Sequence, residues 1–199
     1  MPFPKILVMA GSVRSRSYNQ RLTALVAKEL TLIDAEVSRV SLLDYSLPLY
    51  DADTEMISGP PPDAVKLKRM ICAHQGVFIA SPEYNASISP LLKNVIDWVS
   101  RVRERNDQPY AAFRGRVFAI GAASADMLGG VRGLVTLRQI LELGCGALVL
   151  PEQIAVGNAE HAFDEMDNLQ DARNTAAVKA LTRRLADMAQ QFIVMEERA

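Results

Sequence analysis

The chain leaves the apolar run Ile6-Leu7-Val8-Met9-Ala10 through Gly11-Ser12-Val13-Arg14-Ser15-Arg16-Ser17-Tyr18-Asn19. A plain strand-to-helix connection needs only a turn residue and a cap. This one adds hydroxyls, an amide and two guanidinium groups. Hydroxyl and amide groups donate hydrogen bonds, and a helix start contributes free N–H groups and the positive end of its dipole. Together they suit a phosphate dianion without a P-loop lysine. The loop has neither GxGxxG nor GxxxxGKS/T, so it is not a dinucleotide fingerprint or a Walker A loop. Ser17 and Gln20 also have the spacing of a capping box, which a helix uses with no ligand present. That reading covers Ser17 and leaves Ser12 and Arg14 unexplained.

Two further loops are out of the ordinary. Ser81-Pro82-Glu83-Tyr84-Asn85 follows the apolar run GVFIA. Pro82 stiffens the backbone, Tyr84 offers a flat face, and Asn85 offers both a donor and an acceptor. Alone, the segment reads as a turn. Gly121 to Gly133 (GAASADMLGGVRG) contains four glycines, which let backbone approach a ligand closely or simply give a pliable loop.

These loops need elements to hold them. Continuous apolar runs at Lys5 to Ala10, Gly76 to Ala80 and Arg116 to Gly121 read as strands buried on both faces. Glu36 to Leu43 alternates as a shorter strand. Ala147 to Leu150, resuming at Gln153 to Val156, supplies a fifth. Helical spacing covers Tyr18 to Ile33, Asp63 to His74, Ser89 to Arg103, Val131 to Leu143 and Asp171 to Met195. Ser89 is the N-cap and Pro90 the first-turn residue of the third helix, and Gly144 is expected to stop the fourth in left-handed geometry. Asp44 to Pro62 and Gly157 to Asn168 read as linkers. Strands alternating with helices imply a parallel sheet covered on both faces, with ligands bound beyond the carboxyl ends of its strands. The loops after the first, third and fourth strands share that edge.

Composition bounds the rest. The 199 residues are 49% hydrophobic and 23% charged, with net charge −1. Residues 1–199 are expected to form a single domain, with a core that needs no staple. The near-zero charge argues against broad attraction to nucleic acid or to anionic membrane. No apolar stretch reaches the ~18 residues of a membrane span. Two unpatterned cysteines, Cys72 and Cys145, suit a cytoplasmic, reducing compartment, and two histidines are too few for a His/Cys zinc site. No metal site is expected. Cys145 reads as a small buried residue, His161 as solvated, and Asp51, Asp53 and Glu55 as carboxylates of an exposed linker.

Three motifs carry a resemblance: Gly11-Ser12-Val13-Arg14-Ser15-Arg16-Ser17-Tyr18-Asn19, Pro82-Glu83-Tyr84-Asn85 and Leu92-Lys93-Asn94-Val95-Ile96-Asp97-Trp98. In this order they resemble the NADPH-dependent FMN reductase family, which includes flavin-containing quinone, chromate and azo reductases. The likeness runs from the first strand to about Pro151. It implies an α/β, flavodoxin-like, doubly wound five-stranded parallel sheet of order 2-1-3-4-5, with FMN at the switch point. It implies that Ser12, Arg14, Ser17 and Asn19 hold the FMN phosphate, with Arg16 facing solvent. Pro82, Glu83, Tyr84 and Asn85 border the flavin ring, and Ser124, Gly129 and Gly130 are candidates from the fourth loop.

The implied reaction is hydride transfer from NADPH or NADH to flavin, then electron transfer to a small acceptor such as a quinone, free flavin, azo compound or metal oxyanion. The cofactor carries that chemistry, so no catalytic side chain is expected. A homodimer or homotetramer is implied. Trp98 is then either a packing surface between copies or an ordinary core residue. Tyr50, in a segment like the family's LPxY, has a possible place near a neighbouring subunit's site. Two other readings on the same fold are an electron carrier of the flavodoxin type, to which the charge of −1 and Arg14 with Arg16 are poorly suited, and a binding protein without flavin activity.

Overall fold

The computed structural model describes residues 2–196. In chain order its strands are β1 (Lys5–Ala10), β2 (Glu36–Val40), β3 (Gly76–Ala80), β4 (Glu83–Tyr84), β5 (Ser87–Ile88), β6 (Val117–Ala123) and β7 (Leu148–Val156). Its α-helices are α1 (Tyr18–Thr31), α2 (Ala52–Ser58), α3 (Pro62–Cys72), α4 (Pro90–Arg101), α5 (Val131–Gln139), α6 (Ala159–Ala162) and α7 (Ala172–Glu196). One sheet runs β2-β1-β3-β6-β7, with every neighbour pair parallel. Counting its strands alone, this is the flavodoxin-like order 2-1-3-4-5 that the resemblance implies.

Alternation along each strand sorts the core into two layers. Ile6, Val8, Phe78 and Val117 face α1 and α7 and pack with Leu22, Val26, Leu181 and Leu185. Leu7, Met9, Val77, Ile79 and Phe118 face the other way, onto Leu67, Leu92, Ile96 and Leu134 of α3, α4 and α5. Each fully buried aliphatic side chain of this kind contributes about 1.5–3 kcal/mol. Because both faces are covered, the strands read as unbroken apolar runs.

Several boundaries differ from the sequence expectations. β2 stops at Val40 because the Ser41 hydroxyl accepts the N–H of Leu43 and turns the chain into a short 3-10 segment, Leu42–Asp44. The first linker is not shapeless. It contains α2, capped by Asp51 Oδ1 accepting from Thr54 N–H at 2.7 Å and ended by Gly59 at φ 70°. The expected fourth helix changes pitch after Gln139 into a π-turn over Ile140–Gly144. That wider turn delays the exit, so Gly146, and not Gly144, takes the left-handed conformation at φ 67°. β7 is one strand with a register jump between Phe118↔Val149 and Ile120↔Gln153, which absorbs Pro151 at the sheet edge. The second linker holds α6.

Trp98 is fully buried. Its indole N–H donates to the Pro48 carbonyl at 2.7 Å, and the ring meets Tyr50 edge-on. Within the chain it is a core residue that anchors the segment before α2. Asp51 and Glu55 are structural too: Glu55 accepts from the Tyr50 hydroxyl and from Arg101. Cys145 is buried, which pushes its thiol up to about 11. His161 is exposed.

His74 lies at the opposite end of the sheet from the loops described below. It is 5% exposed. Its Nδ1 meets the Met70 carbonyl at 2.7 Å and therefore carries the proton, so Nε2 accepts from the Ser38 hydroxyl at 2.8 Å. Burial, ahead of the nearby charges of Lys5 and Arg116, pushes the imidazole below its ordinary value of 6.5. The unfolded chain then binds a proton that the folded chain refuses, so stability is full above that ordinary value and declines as pH falls below it. Urea unfolding between pH 8 and 5 should give a falling midpoint on the acid side, and His74→Gln should flatten that part of the profile.

Candidate functional site

The ladder sets three loops at one level. Ala10, Ala80 and Gly121 stand in register across β1, β3 and β6. One step on, Gly11 N–H bonds Ala80 O and Ser81 N–H bonds Gly121 O, both at 2.8 Å. β1 continues toward β2 on one side and β3 toward β6 on the other, so the order reverses between them, where open α/β sheets place ligands. A cleft of ≈ 310 Å³ opens there, within the range of small-molecule sites. Ser12, Arg14 and Ser17 form one wall, Pro82, Glu83 and Tyr84 a second, and Ala123 to Ala125 the floor.

The first loop leaves several hydrogen-bond donors without partners. Ser17 is the N-cap of α1, yet its side chain makes no cap bond. The expected capping box does not form, because the Gln20 amide donates to the Ser12 carbonyl at 2.7 Å instead. The Ser17 residue is only 3% exposed, and its hydroxyl has no protein partner among the described residues. The N–H groups of Tyr18 and Asn19 have no acceptor among the described residues either, and the first turn of α1 carries no carboxylate to neutralise them. Ser12 lies beside them, its oxygen 3.4 Å from Arg14 N. The Arg14 guanidinium is exposed, 5.7 Å from the Tyr18 ring centre. Arg16 lines a neighbouring depression and not this cleft.

The Asn19 side chain has other work. Its Nδ2 donates to Ala123 O and its Oδ1 accepts from Ala123 N, each at 3.0 Å. This pair ties the start of α1 to the end of β6. What Asn19 can still offer an anion is its main-chain N–H.

The PEYN segment folds into the β4–β5 hairpin, which sequence reading misses because each strand has only two residues. Asn85 and Ala86 form its tip at φ 51° and 61°, so Asn85 supplies turn geometry and does not line the cleft. Tyr84 is exposed at the cleft. The Glu83 side chain is 4% exposed. Its carboxylate accepts Gly133 N–H at 3.0 Å and pairs with Arg132, which caps the first turn of α5 and ties the second loop to the third.

In the third loop Ser124 lines the cleft, but its hydroxyl donates to Asp126 at 2.6 Å. Asp126 also accepts from Leu128 and Gly129 N–H. Those bonds, with the Ser124 hydroxyl foremost, hold its carboxyl below the usual range. Gly129 and Gly130 are not cleft residues. At φ 64° and 86° they take left-handed turns, and a Cβ would fall 2.7 Å from the Gly157 nitrogen at Gly129 and 2.8 Å from the Ala122 Cβ at Gly130. Close packing of the loop on β6 and β7 explains both glycines. Sequence reasoning missed Asp126, whose signal is the Ser-x-Asp-x-x-Gly spacing of a self-bonded turn. It also missed Glu160, which reaches the cleft from α6 and leaves no local signal.

An open parallel sheet with a cleft at its switch point is the architecture in which α/β proteins hold nucleotides and flavins. Residues 4–161 match the NADPH-dependent FMN reductase family, and the chain belongs to it. An NAD(P)H-dependent FMN reductase of Pseudomonas aeruginosa is 38% identical over 169 residues, covering 84% of this chain and 85% of the relative. A quinone reductase of Escherichia coli K12 is 37% identical over 139 residues, 69% of each chain. The solved structure of FerB, a flavoenzyme NAD(P)H:(acceptor) oxidoreductase from Paracoccus denitrificans, superposes with a TM-score of 0.77 at 23% identity, over 95% of this chain and 98% of that one. This last likeness confirms the fold. FMN and NAD(P)H are the cofactors the family uses.

Two outcomes follow from this geometry. Ala86 occupies a left-handed conformation that costs an alanine about 1–2 kcal/mol, so Ala86→Gly should raise the unfolding free energy measured in urea by about 0.5–1 kcal/mol, less than the full strain because glycine loosens the unfolded chain. Arg14→Ala should weaken FMN binding about tenfold in a fluorescence titration while Arg16→Ala leaves it unchanged, and equal losses would reassign the phosphate contacts.

Proposed function

We propose that this chain is an NAD(P)H-dependent FMN reductase that passes electrons to a small acceptor, quinones being the class in the relatives' names. The carrying observation is Ser17, only 3% exposed and facing the cleft, whose hydroxyl has no protein partner among the described residues beside the free N–H groups of Tyr18 and Asn19. A cap residue that gives up its cap bond leaves polar groups that only water or an anion can satisfy.

The residues fit FMN. Ser12, Ser17, the two N–H groups and Arg14 would take its phosphate, and Pro82 and Tyr84 would border the ring. When bound, FMN supplies two-electron redox chemistry between a nicotinamide and the acceptor. The protein binds and orients. The hydroxyls and N–H groups fix one end of the ligand. The hairpin, held by Glu83 on α5, fixes the wall at the other end. Every carboxylate oxygen of Glu83 already has a partner, so that wall presents a neutralised acid and not a free charge. No side chain of the cleft is assigned a nucleophilic role.

We further read the chain as one cytoplasmic domain working as a homodimer or homotetramer. Support comes from its free thiols, Cys72 and Cys145, and from Leu49, Met56 and Ile57, each about four-fifths exposed around α2. Among the described residues no helix is long and apolar enough to cross a membrane.

The test is an absorbance spectrum of the purified protein with added FMN, before and after anaerobic NADPH. Protein-bound bands near about 375 and about 450 nm that bleach on NADPH are the expected result for a flavin that accepts hydride. Bound flavin that stays oxidised with both NADPH and NADH would replace this reading with an electron carrier. Failure to bind flavin would end it.

A further inference from the structure

Across the shared wall of Ser17 and Tyr18 lies a second depression, of ≈ 640 Å³, which the proposed reaction does not use. Its sides are Arg16 at the tip of the first loop, Arg21 and Ala24 on α1, Arg39 on β2 and Glu160 on α6. Arg21 is occupied: it bonds Asp167 and the Asp164 carbonyl, and its guanidinium lies over the Phe163 ring. Arg16 and Arg39 are exposed and have no hydrogen-bond or ion-pair partner among the described residues. In a chain of net charge −1, two unpaired guanidinium groups lining one hollow are a local feature and not a sample of a basic surface.

We propose that this depression receives the adenosine monophosphate half of flavin adenine dinucleotide, whose flavin mononucleotide half fills the cleft. The inference rests on the flavin reading above and extends it to a second flavin. Continuity is the first reason. The two hollows share Ser17, Tyr18 and Glu160, so the start of α1 that would hold one phosphate is also the wall of the second hollow. A second phosphate, joined to the first through one oxygen, can leave on this side, because Pro82 and Tyr84 bound the other.

Charge is the second reason. Arg14 lines the cleft and Arg16, two residues on, lines the depression, so neighbouring guanidinium groups face neighbouring phosphates. Arg39 stands on the sheet edge, paired in register with Val8, and the short side chain of Ala24 keeps the space beside it open. Its planar group suits either a phosphate or the face of a purine. Acceptors are the third reason. Glu160, on the shared wall, and Asp167, which also lines the depression, can accept from free ribose hydroxyls or an adenine amino group.

The experiment titrates FMN and FAD separately into wild-type protein and into Arg39→Ala and Ala24→Glu, followed by flavin fluorescence. Both variants change the depression without touching the cleft. Arg39→Ala should weaken FAD about tenfold and leave FMN unchanged, and Ala24→Glu, which fills the hollow with an acid, should do the same or more. The excess affinity of wild-type protein for FAD over FMN should shrink as salt rises. Equal effects on FMN and FAD, or none on either, overturn the proposal while leaving the FMN reading intact. A rise in the KM for NADPH in Arg39→Ala with FAD binding unaltered also overturns it. If wild-type protein binds neither flavin, both readings fall together.

Discussion

Parallel pairing is the constraint from which this site follows. Two parallel strands cannot be joined by a tight hairpin, so each pair needs a crossover, and each crossover helix covers a face of the sheet. Every sheet strand therefore ends at the same edge. With β1 wound toward β2 and β3 wound toward β6, their outgoing loops part at that edge and leave a gap no helix fills. The cleft is a consequence of topology before any side chain is chosen. The unbroken apolar runs of β1, β3 and β6 maintain it, since a polar residue in any of them would be buried on one face or the other.

Topology opens the gap, and a few polar bonds set its shape. Asn19 ties the first loop to the third through Ala123. Glu83 ties the second loop to the third through Gly133 and Arg132. Ser89 caps α4 and donates to Gly11 O at 2.6 Å, which ties the first loop to the helix after the second. Each tie uses a side chain to satisfy main-chain groups, so the loops are stiffened without hydrophobic bulk at the cleft. Backbone donors held this way suit anion binding, because they need not reorganise when charge arrives. Ser17 is the exception: it begins a helix and leaves its hydroxyl unused.

The same bonds explain which parts of the site were legible in advance. That Ser12, Arg14 and Ser17 meet at one cleft was readable, because they lie together beside a helix start and local spacing is enough to place them. The roles of Asn19 and Glu83 were not. Both sit in motifs that suggest ligand contact, yet each spends its side chain on a partner about 104 or 50 residues away. A hydrogen bond across that separation leaves no trace in local pattern. Gly129 and Gly130 were ambiguous for a related reason, since space for a ligand and space for a neighbouring strand call for the same missing Cβ. Trp98 could not be assigned between core and surface until the carbonyl of Pro48 was found against its indole.

The sequence by itself determined the class of fold, the strand order through its family likeness, and the place of the first polar loop at a helix start, because apolar period, helix caps and turn residues act over a few neighbouring positions. Tertiary structure decided which of the polar residues at the sheet edge are free and which are consumed. It also brought Glu160 and Arg39 to one depression beside α1, and gave Pro151 its place in the irregularity of β7. Those outcomes depend on which chain segments meet in space. Chemistry at a site is performed by the donors and acceptors left over after such meetings, and that remainder can be counted only once the chain is folded.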